Sequence, residues 1–302
     1  MHAVRLARAA THREKVILCS ESYHGSHDVS ITAHLGPARA AAGGVPEGVT
    51  ADVLLATFND LESFERIFSE YPDSIAAVLI EPMQRCIEPK PNFLQSLIDL
   101  AHRQGSLVIF DEVMTGFRLA FGGAQERFGA IPDLVCYGKI LGGGLPLAAV
   151  GGRRAVMQFA DASDKARQFV HISGTMNGNP LSAAAGLATL NELSKASAYE
   201  GLNRLGERLR VGLRQQLDAA GATAEVRGVG PLAAVVLSTH DPEDPPVRRI
   251  NELTAAMLKS GILVQLQTRF YVSTAHTDEE IDHAVQVFGE ALTARAQVGH
   301  AQ

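Results

Sequence analysis

The stretch Leu107–Pro146, LVIFDEVMTGFRLAFGGAQERFGAIPDLVCYGKILGGGLP, decides the fold. It holds two apolar runs with the character of buried strands. One, Leu107–Phe110, ends in two carboxylates, Asp111 and Glu112; the other ends in Gly138-Lys139, followed by Gly142-Gly143-Gly144. Continuous rather than alternating hydrophobicity belongs to strands covered on both faces. The same pattern stands upstream at Lys15–Cys19 (KVILC) and Ile75–Ile80 (IAAVLI). Between these runs lie segments of helical period: Leu61, Phe64, Ile67 and Phe68 behind an Asn59-Asp60 cap, and about Asn92–Arg103, stopped by Gly105. Strands alternating with helices predict an α/β fold, a mainly parallel sheet flanked by helices. Ligands in such sheets sit outside the carboxyl ends of the strands. Those ends carry Ser20–Gly25, Glu81, Asp111-Glu112 and Gly138-Lys139, which brings an aromatic ring (Tyr23), acids and a lysine to one edge.

Toward the N-terminus, Ala3, Val4, Leu6, Ala7 and Ala10 recur at helical spacing, so the sequence opens inside a helix with no capping residue before it. No secretory leader is legible there, because basic residues interleave with the apolar ones. Residues 36–50, rich in Gly, Ala and Pro, read as surface loop. Toward the C-terminus the character changes. Pro180–Leu193 and Leu202–Leu217 read as helices, followed by strands at Ala224–Val229, Leu232–Leu237, Ile262–Leu266 and Phe270–Ser273, with helices at about 247–258 and 278–293. This predicts a large domain over 1–199 and a smaller α+β domain over 200–302.

The bulk numbers narrow the function classes. With 302 residues and 46% hydrophobic content the chain builds a substantial core. A formal net charge of −6 offers no case for nucleic acid or an anionic membrane, and no apolar run is long enough to span a bilayer. Cys19, Cys86 and Cys136 form neither a disulfide framework nor a metal-ligand spacing; they fit a reducing, cytoplasmic setting.

Gly138-Lys139 resembles the end of a phosphate-binding P-loop, but Ile140 occupies the position of the magnesium-binding hydroxyl and Asp133 that of the first glycine. The nominal dinucleotide fingerprint Gly228-Val-Gly-Pro-Leu-Ala233 opens no helix. A lysine at a ligand-binding sheet edge, flanked by strand and glycines, is a candidate Schiff-base nucleophile whose amine would be favoured by desolvation. Asp111 reads as its acidic counterpart or as a turn cap. Tyr23 and His24 read as packing residues or ligand contacts. Ser173–Pro180 (SGTMNGNP) reads as a capped loop or an anion-binding one.

Several segments together resemble the class-III pyridoxal-phosphate-dependent aminotransferases, most closely the branch containing glutamate-1-semialdehyde 2,1-aminomutase. They are Ala3–Arg13, Tyr23-His24-Gly25, Phe58–Leu61, Glu81-Pro82, Phe110–Arg118 (FDEVMTGFR), Pro132–Arg154, Ser173–Gly186 and Ser273–Thr277 (STAHT). The resemblance covers essentially the whole chain and implies the fold-type I large domain of these transferases, with pyridoxal 5'-phosphate as cofactor. Lys139 would form the internal aldimine and then carry protons. Asp111 would pair with the pyridine nitrogen. Val113 would pack on one face of the ring and Tyr23 on the other, with His24 and Glu81 alongside. Thr175 would reach the cofactor phosphate of a neighbouring subunit, which implies a homodimer with a shared site. Substrates would be an amine or amino acid and a keto or aldehyde acceptor, and Arg269 is a candidate for holding a substrate carboxylate.

Two departures bear on function. The family's glycine-rich Ser-Gly-Thr loop, which holds the cofactor phosphate, stands upstream of the Ala3–Arg13 helix and is not in this sequence. The aminomutase branch carries a glutamate in a longer segment before its STAHT-like strand, whereas Gln265–Ser273 (QLQTRFYVS) has no acid. The expectation is therefore an aminotransferase working through Lys139. The aminomutase is the alternative, and a truncated, catalytically impaired remnant is the reading from another class.

Overall fold

The computed structural model describes residues 1–163, 169–238, 246–264 and 269–299. The chain forms two compact units, Met1–Gln84 with Pro89–Glu192, and Arg85–Glu88 with Leu193 onwards. In chain order the first contains α1 (His2–Thr11), β1 (Lys15–Cys19), α2 (Asp28–Leu35), α3 (Pro37–Ala42), α4 (Glu47–Thr50), β2 (Val53–Ala56), α5 (Leu61–Glu70), β3 (Ile75–Ile80), α6 (Phe93–Arg103), β4 (Leu107–Asp111), α7 (Gly123–Phe128), β5 (Leu134–Tyr137), β6 (Ala149–Gly152), α8 (Arg154–Met157) and α9 (Pro180–Leu193).

The six strands form one sheet in the order β2-β1-β3-β4-β5-β6. All neighbours run parallel except β6, which pairs antiparallel with β5. Every residue of β3 is buried, because the sheet is covered on both faces. On one face Ala3, Val4, Leu6 and Ala7 of α1 pack with Val16, Leu18, Ala77, Leu79 and Ile109. On the other, Phe64 and Phe68 of α5 and Phe93, Leu94 and Leu97 of α6 pack with Ile17, Val78, Ile80, Val108 and Phe110. Alternate residues of each strand thus serve opposite cores. Each fully buried Leu, Ile or Phe contributes about 1.5–3 kcal/mol relative to exposure.

Local signals explain the element ends. The Asp60 side chain accepts from the Ser63 amide at 3.3 Å and caps α5 as the sequence predicts. At the amino edge of the sheet, buried Asp133 accepts from the Val108 amide (2.8 Å) and pairs with His102 (2.9 Å) and Arg153 (3.1 Å), tying α6, β4, β5 and the start of α8 together. Residues 36–50, expected as loop, instead form α3 and α4. Pro37 takes the first helical position, where its fixed φ is pre-organised and its missing N–H is no loss. Strands β2 and β6 were not expected either; both are only four residues long, too short to show a period.

The second unit contains α10 (Ala196–Ala219), β7 (Ala224–Arg227), β8 (Leu232–Leu237), α11 (Pro246–Lys259), β9 (Arg269–Tyr271) and α12 (Asp278–Gly299), with an antiparallel sheet in the order β7-β8-β9. Leu205, Leu209, Leu213 and Leu217, one helical turn apart, line its core with Ala233, Val235, Phe270 and Phe288. Thr277 and Glu280 form a reciprocal capping box at the start of α12: the Glu280 amide donates to Thr277 Oγ1 (3.3 Å) and the Thr277 amide to Glu280 Oε2 (2.8 Å). Of the expected strand Ile262–Leu266, Gln265 and Leu266 lie outside the described residues, and Ile262–Val264 is not strand. The Ile262 amide is already engaged by the Met257 carbonyl at the end of α11.

Candidate active site

Because β1, β3, β4 and β5 run parallel, their carboxyl ends share one edge. Asp111 closes β4 in register with Cys136 of β5. Its Oδ2 accepts from His24 Nδ1 at 2.8 Å and its Oδ1 from the Val113 amide at 3.0 Å. The His24 side chain is 1% exposed and that of Asp111 12%, so the pair lies below the surface. Burial pushes the Asp111 carboxyl up. The His24 hydrogen bond and charge, the Val113 amide and the Lys139 ammonium together outweigh it and hold the carboxyl below its ordinary value. Asp111 is therefore an anion. Among the described residues His24 Nε2 is buried with no hydrogen-bond partner, while Nδ1 faces the carboxylate.

Tyr23 precedes this histidine. Its amide donates to Glu81 Oε1 (3.1 Å), which links the loop after β1 to the end of β3. Tyr23 is 55% exposed and its ring stands nearly perpendicular to that of His34 (5.6 Å between centroids), so aromatic surface is available for stacking. His27, further along the loop, has its pKa pushed down to about 4, chiefly by burial.

Lys139 follows β5 and Gly138. It opens a short 3-10 turn, Lys139–Gly142, with φ +47, a left-handed conformation that costs a non-glycine residue about 1–3 kcal/mol. Gly138 has no side chain where one would stand 3.3 Å from Val113 Cγ1, so Val113 lies against the strand end that carries the lysine. In the glycine run after the turn, a side chain at Gly143 (φ +55) would strike the Ala185 carbonyl and the Thr189 hydroxyl of α9; glycine permits that approach. The Lys139 side chain is exposed, so the burial expected around its amine is not supplied by this chain's own packing.

The residues singled out in the sequence thus divide. Tyr23, His24, Glu81, Asp111, Val113 and Lys139 come together at one edge. Thr175 stands exposed in the loop before α9, and Arg269 lies on β9 of the second unit. Sequence reasoning assigned no role to Glu112, Gln125 and Tyr137, which form a part-buried network between the residue after Asp111 and the second residue before Lys139. The one signal available was the carboxylate pair itself: a second acid inside an apolar run implies buried donors.

A family profile, Aminotransferase class-III, matches residues 1–292. Among characterised relatives, glutamate-1-semialdehyde 2,1-aminomutase of Desulforamulus reducens is 39% identical, over 98% of this chain and 71% of that protein. The enzyme of the same name from Sorangium cellulosum is 42% identical, over 97% of this chain and 70% of its own. Among solved structures, an omega-transaminase from Sphaerobacter thermophilus superposes with a TM-score of 0.87 at 32% identity, covering 96% of this chain and 70% of that one. A transaminase with PLP bound superposes with a TM-score of 0.89 at 32% identity, covering 97% and 70%.

Proposed function

We propose that this chain, which belongs to the class-III aminotransferases, a pyridoxal-phosphate-dependent family of fold type I, transfers an amino group from an amine or amino acid to a separate keto or aldehyde acceptor. The observation that carries the site assignment is the buried, anionic Asp111, held by His24 on the strand beside the one that ends in Lys139. The residues fit the cofactor: a low-lying buried carboxylate suits a protonated pyridine nitrogen, an exposed lysine suits an aldehyde, and the aromatic surface of Tyr23 and the methyls of Val113 suit a flat ring.

Pyridoxal phosphate, when bound, supplies an aldehyde for the amine and a ring that takes up the electron pair released at the substrate carbon. Asp111 would pair with the ring nitrogen, with His24 Nδ1 fixing the carboxylate's direction. Val113 and Tyr23 would pack on the ring. Lys139 Nζ would anchor the cofactor and serve as the proton carrier. Glu81 would hold the Tyr23 backbone, and Arg269 of the second unit is the candidate for a substrate carboxylate. Domain 1–199 would bind the cofactor, and domain 200–302 is a smaller α+β domain.

We further infer a homodimer in which Thr175 reaches the partner's cofactor phosphate. In support, Ile131, Leu145, Ile172, Met176, Leu181 and Leu187 are all exposed on the first unit, apolar surface that a partner subunit would cover. Sedimentation would give twice the chain mass.

The test is a panel of amino donors with pyruvate and 2-oxoglutarate in the presence of pyridoxal phosphate. Wild type should develop a visible absorption band and turn over at least one pair; Lys139→Ala should lose both. A folded wild-type protein that stays colourless with cofactor would sink the reading. The aminomutase names of the relatives favour a second reading. It predicts conversion of glutamate-1-semialdehyde with no acceptor added. The absence of an acid in Gln265–Ser273 speaks for the separate acceptor.

A further inference from the structure

Glu112 is fully buried, and its carboxylate is saturated with donors. Oε2 accepts from Thr115 Oγ1 (3.0 Å) and the Ala124 amide (2.6 Å); Oε1 accepts from the Gln125 amide (3.2 Å) and Gln125 Nε2 (3.0 Å). The chain between Glu112 and Gln125 is thus drawn into a closed loop around one carboxylate. Gly123 belongs to the enclosure, since a side chain there would collide with Glu112 Oε2. A buried carboxylate with this many partners is kept only where the surrounding backbone is fixed by it.

The network does not stop at the loop. Gln125 Nε2 also donates to the Tyr137 hydroxyl at 2.9 Å. The Tyr137 ring packs on Gly116, where a side chain would stand 2.6 Å from its Cδ1, and on Phe117 (5.1 Å between centroids). The Glu112 amide donates to the Cys136 carbonyl (2.9 Å), extending the β4–β5 ladder one residue past Asp111. Glu112 therefore follows Asp111 directly and reaches, through Gln125 and Tyr137, the second residue before Lys139. That residue needs a rigid base, because the Lys139 backbone is left-handed and would otherwise relax.

We propose that Glu112 is a positioning residue that holds the two poles of the cofactor site, Asp111 and Lys139, in fixed relation through the Gln125–Tyr137 link. The inference rests on the assignment of those two residues to the cofactor. Glu112 touches neither cofactor nor substrate in this scheme; it acts through the two strand ends.

Three variants and two readouts test it. Glu112→Gln keeps the shape but turns a donor toward the donors of Ala124 and Gln125. Gln125→Ala cuts the link to Tyr137 and leaves Glu112 its contacts with Thr115 and the two amides. On the cofactor-free chain, hydrogen–deuterium exchange in residues 137–142 should accelerate roughly fivefold in either variant, the loss of about one hydrogen bond. Exchange in 113–125 should accelerate in Glu112→Gln as well. With pyridoxal phosphate added, the pH midpoint of the visible band should move in the same direction in both variants, and Glu112→Asp should recover part of the shift. Wild-type exchange at 137–142 together with a wild-type midpoint would overturn the proposal and leave Glu112 as a cap of α7 alone. If Glu112→Gln does not fold, Gln125→Ala decides by the same two readouts. If wild type forms no visible band, the cofactor reading fails, while the exchange measurement still decides whether the link exists.

Discussion

Replacing Asp111 by Asn removes one negative charge and almost nothing else, which makes it the sharpest probe of the site. The amide oxygen can still accept from the Val113 amide, 3.0 Å away in wild type. The amide nitrogen then faces His24 Nδ1, a donor against a donor, so that hydrogen bond is lost, and leaving these buried groups unpaired costs the folded chain about 1–3 kcal/mol. The second loss falls on the cofactor. A hydrogen bond to a charged group contributes about 1.5–3 kcal/mol, and the 12% exposure of Asp111 leaves little solvent to screen it. The variant should therefore bind pyridoxal phosphate roughly 10- to 150-fold more weakly. The half-reaction with an amino donor should slow as well, because the ring nitrogen is no longer held protonated. Absorbance titration measures the first effect, single-turnover kinetics with saturating cofactor the second, and urea denaturation of the cofactor-free chain the folding cost. Affinity and half-reaction rate within twofold of wild type would refute the assignment of Asp111. An unchanged urea midpoint would show that the His24–Asp111 hydrogen bond does not stabilise the fold.

Gly116→Ala places a methyl 2.6 Å from Tyr137 Cδ1 and 2.7 Å from the Glu112 carbonyl oxygen, so the ring or the loop must shift; a loss of about 1–3 kcal/mol in urea-unfolding stability is expected, and a wild-type midpoint would show the loop to be softer than its packing implies. His27 supplies a pH dependence. Its pKa falls from 6.5 to about 4 on folding, so between those values the unfolded chain binds more protons; stability should rise with pH across that window and be lost as pH falls through it. His27→Gln should flatten that part of a stability-versus-pH curve measured by thermal denaturation, and an unaltered slope would mean that another group titrates there.

How far the site was legible in sequence follows from which signals are local. Asp111 and Lys139 could be found because each closes an apolar run, and a parallel sheet brings such ends to one edge. The central strands were legible for the same reason: Val16–Cys19, Ile75–Ile80 and Val108–Phe110 are buried almost without interruption, and that continuity is written in composition. What composition does not carry is the cause of a conformation. Nothing in Gly138-Lys139-Ile140 announces a left-handed lysine, since the strain is imposed by the ladder on one side and the 3-10 turn on the other. Glu112 looked like half of an acidic pair, although the two carboxylates have opposite fates: Asp111 stands at the carboxyl edge of the sheet and Glu112 turns inward to gather amides twelve and thirteen residues later. That separation is why Asp111, and not its neighbour, is the carboxylate available to a cofactor. It also means that removing either acid should disable the site by a different route, one through charge and the other through position.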